Sequence, residues 1–443
     1  MGKKRVIISA AAVMSLLGSY LVADAADYVP GFLTTSPAPI QPQPYPTVQV
    51  GTPAAPTEDP SVPMATANAL QTRAEDFVTS AHALGSSISV VIRDIPTGTL
   101  LADVNGATPH STASSIKLLP AAALLLSQKP STALSTSVVF NPAEKRLTLV
   151  GVGDMTLTDD DVAALARDTH SALTAQSVNA VTVAVDDTLF SGPTLSPAWS
   201  ELDMPWVQPV MAVGVNSGKK DGKGVADPAL QAAQDLADQL IALGTSVHGV
   251  ERHAADSGDQ VLSVVRGHTV DSLVTHTLKA SDNTTSEAVG RLVAVARGGQ
   301  GTMEAGRAAV AETLQEAGFP TEGLNLADTC GLDGNTKATA NLFTAVIQAA
   351  ASGDKPELAP LLSAVPIAHL DGTLKQRLGG AAGKVRAKTG TLVTAVSLSG
   401  MVEGPQGQRL AFSILADGVE EGAYKQAREE LDAFVTSLTT QLP

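Results

Sequence analysis

Thr112-Ala113-Ser114-Ser115-Ile116-Lys117-Leu118-Leu119 opens an apolar run that reaches Leu126. Ser114 and Lys117 stand three apart, and on a helical turn that spacing puts two side chains on one face. The Lys117 amine is thereby brought close to the Ser114 hydroxyl. A serine hydroxyl is a poor nucleophile until a neighbour takes its proton. A lysine is that neighbour only if burial or a second cation pulls its pKa down from about 10.4. Pro120 is tolerated in a first turn and kinks a helix interior, so the helix either starts near Lys117 or bends there. A helix start with a surface lysine reads the same way, so the rest of the chain must supply the remaining parts.

Upstream of this stretch, Leu70, Ala74, Phe77, Val78, Ala81 and Leu84 have helical spacing, and folded sequence begins near Ala67. Ile88 to Arg93, a turn at Pro96-Thr97-Gly98 and a return over Leu100 to Val104 read as a β-hairpin. Further back, residues 26–66 are rich in Pro, Thr, Ala and Gln and read as an extended spacer. Residues 1–25 read as a targeting segment: Lys3, Lys4 and Arg5, an apolar core, then Ala23-Asp24-Ala25 as a cleavage pattern. An uncleaved anchor helix with N-terminal membrane association is the alternative, because the apolar run is near the lower limit of a span. Either way the folded body is expected to be exported.

The 443 residues are 44% hydrophobic and 16% charged, enough for one large or two medium domains. A net charge of −15 argues against a nucleic-acid partner. Cys330 is the only cysteine, so no intrachain disulfide forms, and its simplest reading is a small buried hydrophobe.

Downstream, residues 132–222 mix short strands (Ser137 to Phe140, Leu147 to Val150, Ala180 to Val185) with a helix over Thr158 to Thr169 and a Pro-rich irregular stretch. They read as an inserted smaller domain within a body formed by 67–131 and 223–443. Asp227 to Leu243 and Val270 to Ala280 are helical. Ser281-Asp282-Asn283 then sits on a tight connection, with Thr284 and Glu287 as a capping box for the next helix. Val385 to Val402 is strand-rich, with Lys388-Thr389-Gly390-Thr391 near its start. Leu410 to Leu415 returns, and Glu420 to Leu442 closes the chain as a helix. Hairpins at both ends with helices between them predict an α/β (α+β) fold, an antiparallel sheet flanked by helices.

Ser114-x-x-Lys117, Ser281-Asp282-Asn283 and Lys388-Thr389-Gly390 occur in the order that marks penicillin-binding proteins and class A β-lactamases. The chemistry explains each. Ser114 attacks a carbonyl and Lys117 accepts its proton, with Lys388 nearby to lower the Lys117 pKa. Ser281 relays a proton to the leaving amine. Asn283 orients the substrate backbone. Lys388, Thr389 and Thr391 hold a terminal carboxylate, and the strand edge that includes Gly390 pairs with an extended peptide. Backbone N–H groups of Ser114 and Thr391 are the candidate oxyanion hole.

With these motifs, the chain resembles the exported D-alanyl-D-alanine carboxypeptidase/endopeptidases of the S13 type, the class C low-molecular-mass penicillin-binding proteins. Val91 to Asp94, Val150 to Asp154, Asp186 to Pro193 and Asp371-Gly372-Thr373-Leu374 are further landmarks of that likeness. The resemblance covers roughly Ala67 to the C-terminus. It implies a β-lactamase/transpeptidase-like fold with an insertion, peptidoglycan stem peptides as substrate and β-lactam antibiotics as covalent inhibitors. The insertion is shorter than in the best-known members. Cys330-Gly331-Leu332-Asp333-Gly334 stands where the family tends to have Ser-Gly-Leu-Ser-Arg.

Two other readings compete. A β-lactamase needs a second base for deacylation, and the sequence has no obvious carboxylate motif for one. A non-catalytic wall-binding protein would keep the motifs as a cleft. No Gly-x-Ser-x-Gly element supports a Ser-His-Asp hydrolase. The histidines are scattered without a His-Glu-x-x-His, and His248 with His253 is too little for zinc. The expected mechanism uses no metal and no cofactor.

Overall fold

In the strand Ser87–Asp94, Ile88, Val90 and Ile92 alternate with Val91, and a period of two sends the two sets to opposite faces. Ile88, Val90 and Ile92 share a core with Leu410, Phe412 and Ile414 and with Leu431 and Phe434 of the last helix. Val91 joins a second core with Ile116, Leu119 and Leu415. This five-stranded sheet is antiparallel, in the order Val385–Thr391, Ala395–Glu403, Arg409–Asp417, Ser87–Asp94, Leu100–Val104. Val385–Thr391 is an edge strand. The expected single run over Val385 to Val402 is thus two strands, which reverse between Thr391 and Ala395.

The computed structural model describes residues 64–85 and 87–442. The targeting segment 1–25 and nearly all of the spacer 26–66 lie outside the described residues. The first helix, Met64–Ser80, begins three residues before the expected start at 67. Helices Met64–Ser80 and Tyr424–Leu438 cover one face of the sheet. The other face packs on Ala340–Ser352 and, beyond it, Leu118–Ser127. Eight consecutive residues of the latter, Leu118 to Leu125, are buried. Pro120 falls in its first turn, where a missing N–H leaves no hydrogen bond unmade. No helix among the described residues is long and apolar enough to cross a membrane.

A second five-stranded sheet has the order Ser246–Arg252, Ala180–Asp186, Arg146–Val150, Ala133–Asn141, Gln260–Thr269. Its parallel pairs are bridged by the helices Asp159–Ala175 and Pro228–Ala242, the long crossovers that parallel pairing requires. The segment carrying this sheet therefore runs from 133 to 269, and the expected break at 222 falls inside it. Hairpin logic misses this, because Ser246–Arg252 and Gln260–Thr269 pair with strands far upstream. The chain returns to the first body at the helix Val270–Ala280.

Candidate active site

Ser114 lies on the 3-10 turn Ala113–Lys117, which runs directly into the buried helix. Ala113 is buried and left-handed, with φ +45°. The turn is stitched to the sheet: Ser397 Oγ donates to the Thr112 carbonyl at 2.6 Å, and Ser115 Oγ to the Lys388 carbonyl at 3.2 Å. Gly331 comes so close that a Cβ there would stand 2.0 Å from the Ala113 carbonyl oxygen. A Cβ on Gly390 would stand 2.5 Å from that of Thr112.

Lys117 is fully buried. Its Nζ lies 2.8 Å from Ser114 Oγ, 2.7 Å from Asn283 Oδ1 and 2.5 Å from the Cys330 carbonyl oxygen. Burial holds this amine below the usual lysine range, while Cys330, Asp328, Asp282 and Glu287 pull the other way. The expected cause, repulsion from Lys388, is not the leading one. That repulsion registers on Lys388, which lies well below the usual range through burial, then through Lys117 and Arg377.

Ser281 ends the helix Val270–Ala280 in a left-handed conformation, φ +55°. Its Oγ accepts from Lys388 Nζ at 2.9 Å. Asp282 caps the next helix, Asn283–Ala296, by accepting from the Thr285 N–H at 3.1 Å. The expected Thr284–Glu287 capping box is therefore absent. Thr284 Oγ1 instead accepts from the Gln208 N–H, and Glu287 is buried, accepting from the Thr329 N–H at 2.7 Å. The cap lies two residues earlier because Asp282 already supplies the oxygen that the helix start needs. Asn283, expected to orient the substrate backbone, holds Lys117 with its oxygen and donates Nδ2 to the Trp206 carbonyl at 2.9 Å. Thr389 Oγ1 is 2.8 Å from Thr373 Oγ1. Thr391, at the end of the edge strand, is exposed.

Behind Lys117 is a layer the motifs do not show. The Asp328 carboxylate accepts from the N–H groups of Gly331, Leu332 and Asp333, from Thr336 Oγ1 and from Trp199 Nε1. It fixes the loop whose Cys330 carbonyl holds Lys117. Glu287, pushed up to about 7 by burial and then by Asp328, supports the same loop at Thr329. Burial, Asp328 and Glu287 raise the Cys330 thiol well above its ordinary pKa, so it is a poor thiolate. Ligand atoms of Glu287, Asp328 and Cys330 lie within 4.8 Å of one another, a set that could hold a metal ion. Lys117 Nζ already occupies the Cys330 side of it, bonded to the Cys330 carbonyl.

The folded chain thus gathers Ser114, Lys117 and Asn283 through one amine, and Ser281 and Lys388 through the other. Thr389 and Gly390 follow on the edge strand. Residues 70–223 and 217–438 match the D-Ala-D-Ala carboxypeptidase 3 (S13) family. A carboxypeptidase of Mycobacterium tuberculosis is 32% identical over 87% of this chain and 89% of its own length. The carboxypeptidase DacB of Mycolicibacterium smegmatis is 30% identical over 78% of this chain and 79% of its own. The crystal structure of penicillin-binding protein 4 of Haemophilus influenzae shares the fold, with a TM-score of 0.70 at 20% identity, covering 82% of this chain and 98% of that one. On the family match and the extent of these identities, the chain belongs to the D-Ala-D-Ala carboxypeptidase 3 (S13) family.

Proposed function

We propose that this serine-type D-Ala-D-Ala peptidase cuts peptidoglycan stem peptides after a D-alanine through an acyl-enzyme on Ser114. One observation carries the reading. Two of the three oxygens around Lys117 Nζ are carbonyl oxygens, those of Asn283 and Cys330. A neutral amine has two N–H bonds and one lone pair. With both N–H bonds committed to carbonyls, the lone pair faces Ser114 Oγ at 2.8 Å.

Lys117 takes the Ser114 proton as Oγ bonds to the carbonyl carbon of the penultimate D-alanine. The backbone N–H groups of Ser114 and Thr391 receive the oxyanion. The C–N bond then breaks, and the leaving amine takes a proton through Ser281, which Lys388 holds. Lys388, Thr389 and Thr391 receive the terminal carboxylate. Water next attacks the ester carbonyl and gives a proton to Lys117; the bond to Ser114 Oγ breaks, Lys117 passes that proton to Oγ, and the stem peptide leaves as its carboxylate. A β-lactam follows the same first step, but its leaving nitrogen stays tethered in the opened ring, so the acyl-enzyme persists.

The test is D-alanine release from an N-acylated tripeptide ending in D-Ala-D-Ala. Wild type should release it and Ser114→Ala should not; release by both refutes the reading. Rapid wild-type turnover of nitrocefin would favour the β-lactamase alternative. The substrate lies outside the cytoplasmic membrane, and the basic and apolar segment before Ala25 agrees with export. N-terminal sequencing of protein from its natural host should begin after Ala25, whereas a chain retaining Met1 would instead indicate an uncleaved anchor.

A further inference from the structure

The edge strand Val385–Thr391 is not open along its whole length. The Ala387 N–H donates to the Pro366 carbonyl, and the Ala368 N–H to the Val385 carbonyl, both at 2.9 Å. An isolated bridge joins Ile367 and Arg386. The segment from Pro366 therefore covers the first half of the edge and then leaves it. It ends in the 3-10 turn Gly372–Leu374, at Thr389.

Two fastenings hold that turn. Asp371 accepts from the Ile367 N–H at 2.8 Å and pairs with Lys279, two residues before Ser281. Gly372 is left-handed, φ +54°, and a Cβ there would meet the Lys279 carbonyl at 2.9 Å. The turn is thus locked to the helix end that presents Ser281, with Leu374 buried beneath it. Thr373 is exposed, and its hydroxyl reaches Thr389 Oγ1.

Beyond Ala387 the outer edge of this strand has no further strand partner among the described residues, and a peptide pairing there meets the turn at Thr389. We propose that Thr373 is a specificity-determining residue that ends the peptide-binding edge and selects a free carboxylate one residue beyond the scissile bond. The inference rests on the peptidase reading above. Either hydroxyl can donate across this 2.8 Å contact, and the assignment has Thr373 Oγ–H donating to Thr389 Oγ. The Thr389 proton is then directed away from Thr373, toward a carboxylate oxygen. A chain that continued past the terminal D-alanine would have to displace the turn.

The experiment compares wild type, Thr373→Val and Thr373→Ser on two substrates, the acylated tripeptide ending in D-Ala-D-Ala and the same peptide with its C-terminus amidated. In Thr373→Val, KM for the free acid should rise about tenfold, the size of losing one hydrogen bond to a charged group, with kcat within about twofold. The amide should be unaffected, so the preference for acid over amide shrinks. Thr373→Ser, which keeps the hydroxyl, should restore it. An unchanged acid-to-amide preference in an active Thr373→Val enzyme overturns the assignment, as does an equal loss on both substrates. Wild-type protein that cleaves neither peptide overturns the peptidase reading itself, and this inference with it.

Discussion

Lys117 works as a base only when neutral, and its burial favours that form. Acylation by a β-lactam should therefore slow as pH falls through the lowered Lys117 pKa. Lys117→Met, which fills the same space without a lone pair, should slow it by about 10²–10⁴-fold at neutral pH. Stopped-flow acylation checks both. Glu287 titrates in the opposite sense. Its folded pKa of about 7 lies above its ordinary 4.5, so the folded state binds more protons between those values. The stability it contributes is present below pH 4.5 and lost as pH rises through 7, amounting to about 3 kcal/mol at most. Glu287→Gln removes that slope. Urea unfolding at pH 5 and pH 8 should show the variant gaining on wild type at the higher pH. No such gain would mean that Glu287 is not desolvated in the folded protein.

At the scale of elements, the turn carrying Ser114 is held by backbone approaches as much as by its own hydrogen bonds. Gly331, left-handed at φ +81°, lies where a Cβ would meet the Ala113 carbonyl and Ile116. Gly331→Ala should therefore cost about 1–3 kcal/mol of stability by overpacking and slow labelling by a fluorescent penicillin. Wild-type labelling in a folded Gly331→Ala protein would show that the turn tolerates movement. Ser114-x-x-Lys117, Ser281-Asp282-Asn283 and Lys388-Thr389-Gly390 are legible in the sequence because each is a short spacing with its own chemistry. Asp328 and Glu287 are not. Asp328 acts through six donors, five of them within eight residues but none in a recognisable motif. Glu287 sits at a spacing that imitates a capping box, and only the folded structure shows that Asp282 takes that place. The reversal between Thr391 and Ala395 is hidden because strand-forming residues continue on both sides of it.

Across the whole molecule, the second sheet is tied to the site rather than appended to it. Its residues Val138, Leu149 and Val183 belong to the same core as Ile116 and Leu119 beside Ser114, so the two sheets should unfold in one cooperative urea transition. Trp199, on the irregular stretch after the strand Ala180–Asp186 of that sheet, donates to buried Asp328 at 3.1 Å. Trp199→Phe leaves that carboxylate one donor short and should cost about 2 kcal/mol. It also leaves Trp206 as the sole tryptophan, with its carbonyl on Asn283, so acylation should change the remaining emission. The local signals placed the first sheet well and the second poorly, since pairing between Ala133–Asn141 and Gln260–Thr269 spans more than a hundred residues. The most direct measurement on the account as a whole is peptide mass spectrometry after incubation with benzylpenicillin. It should find one penicilloyl group, on the peptide containing Ser114, and none in Ser114→Ala. A penicilloyl group on any other residue, or none on wild type, would contradict the account.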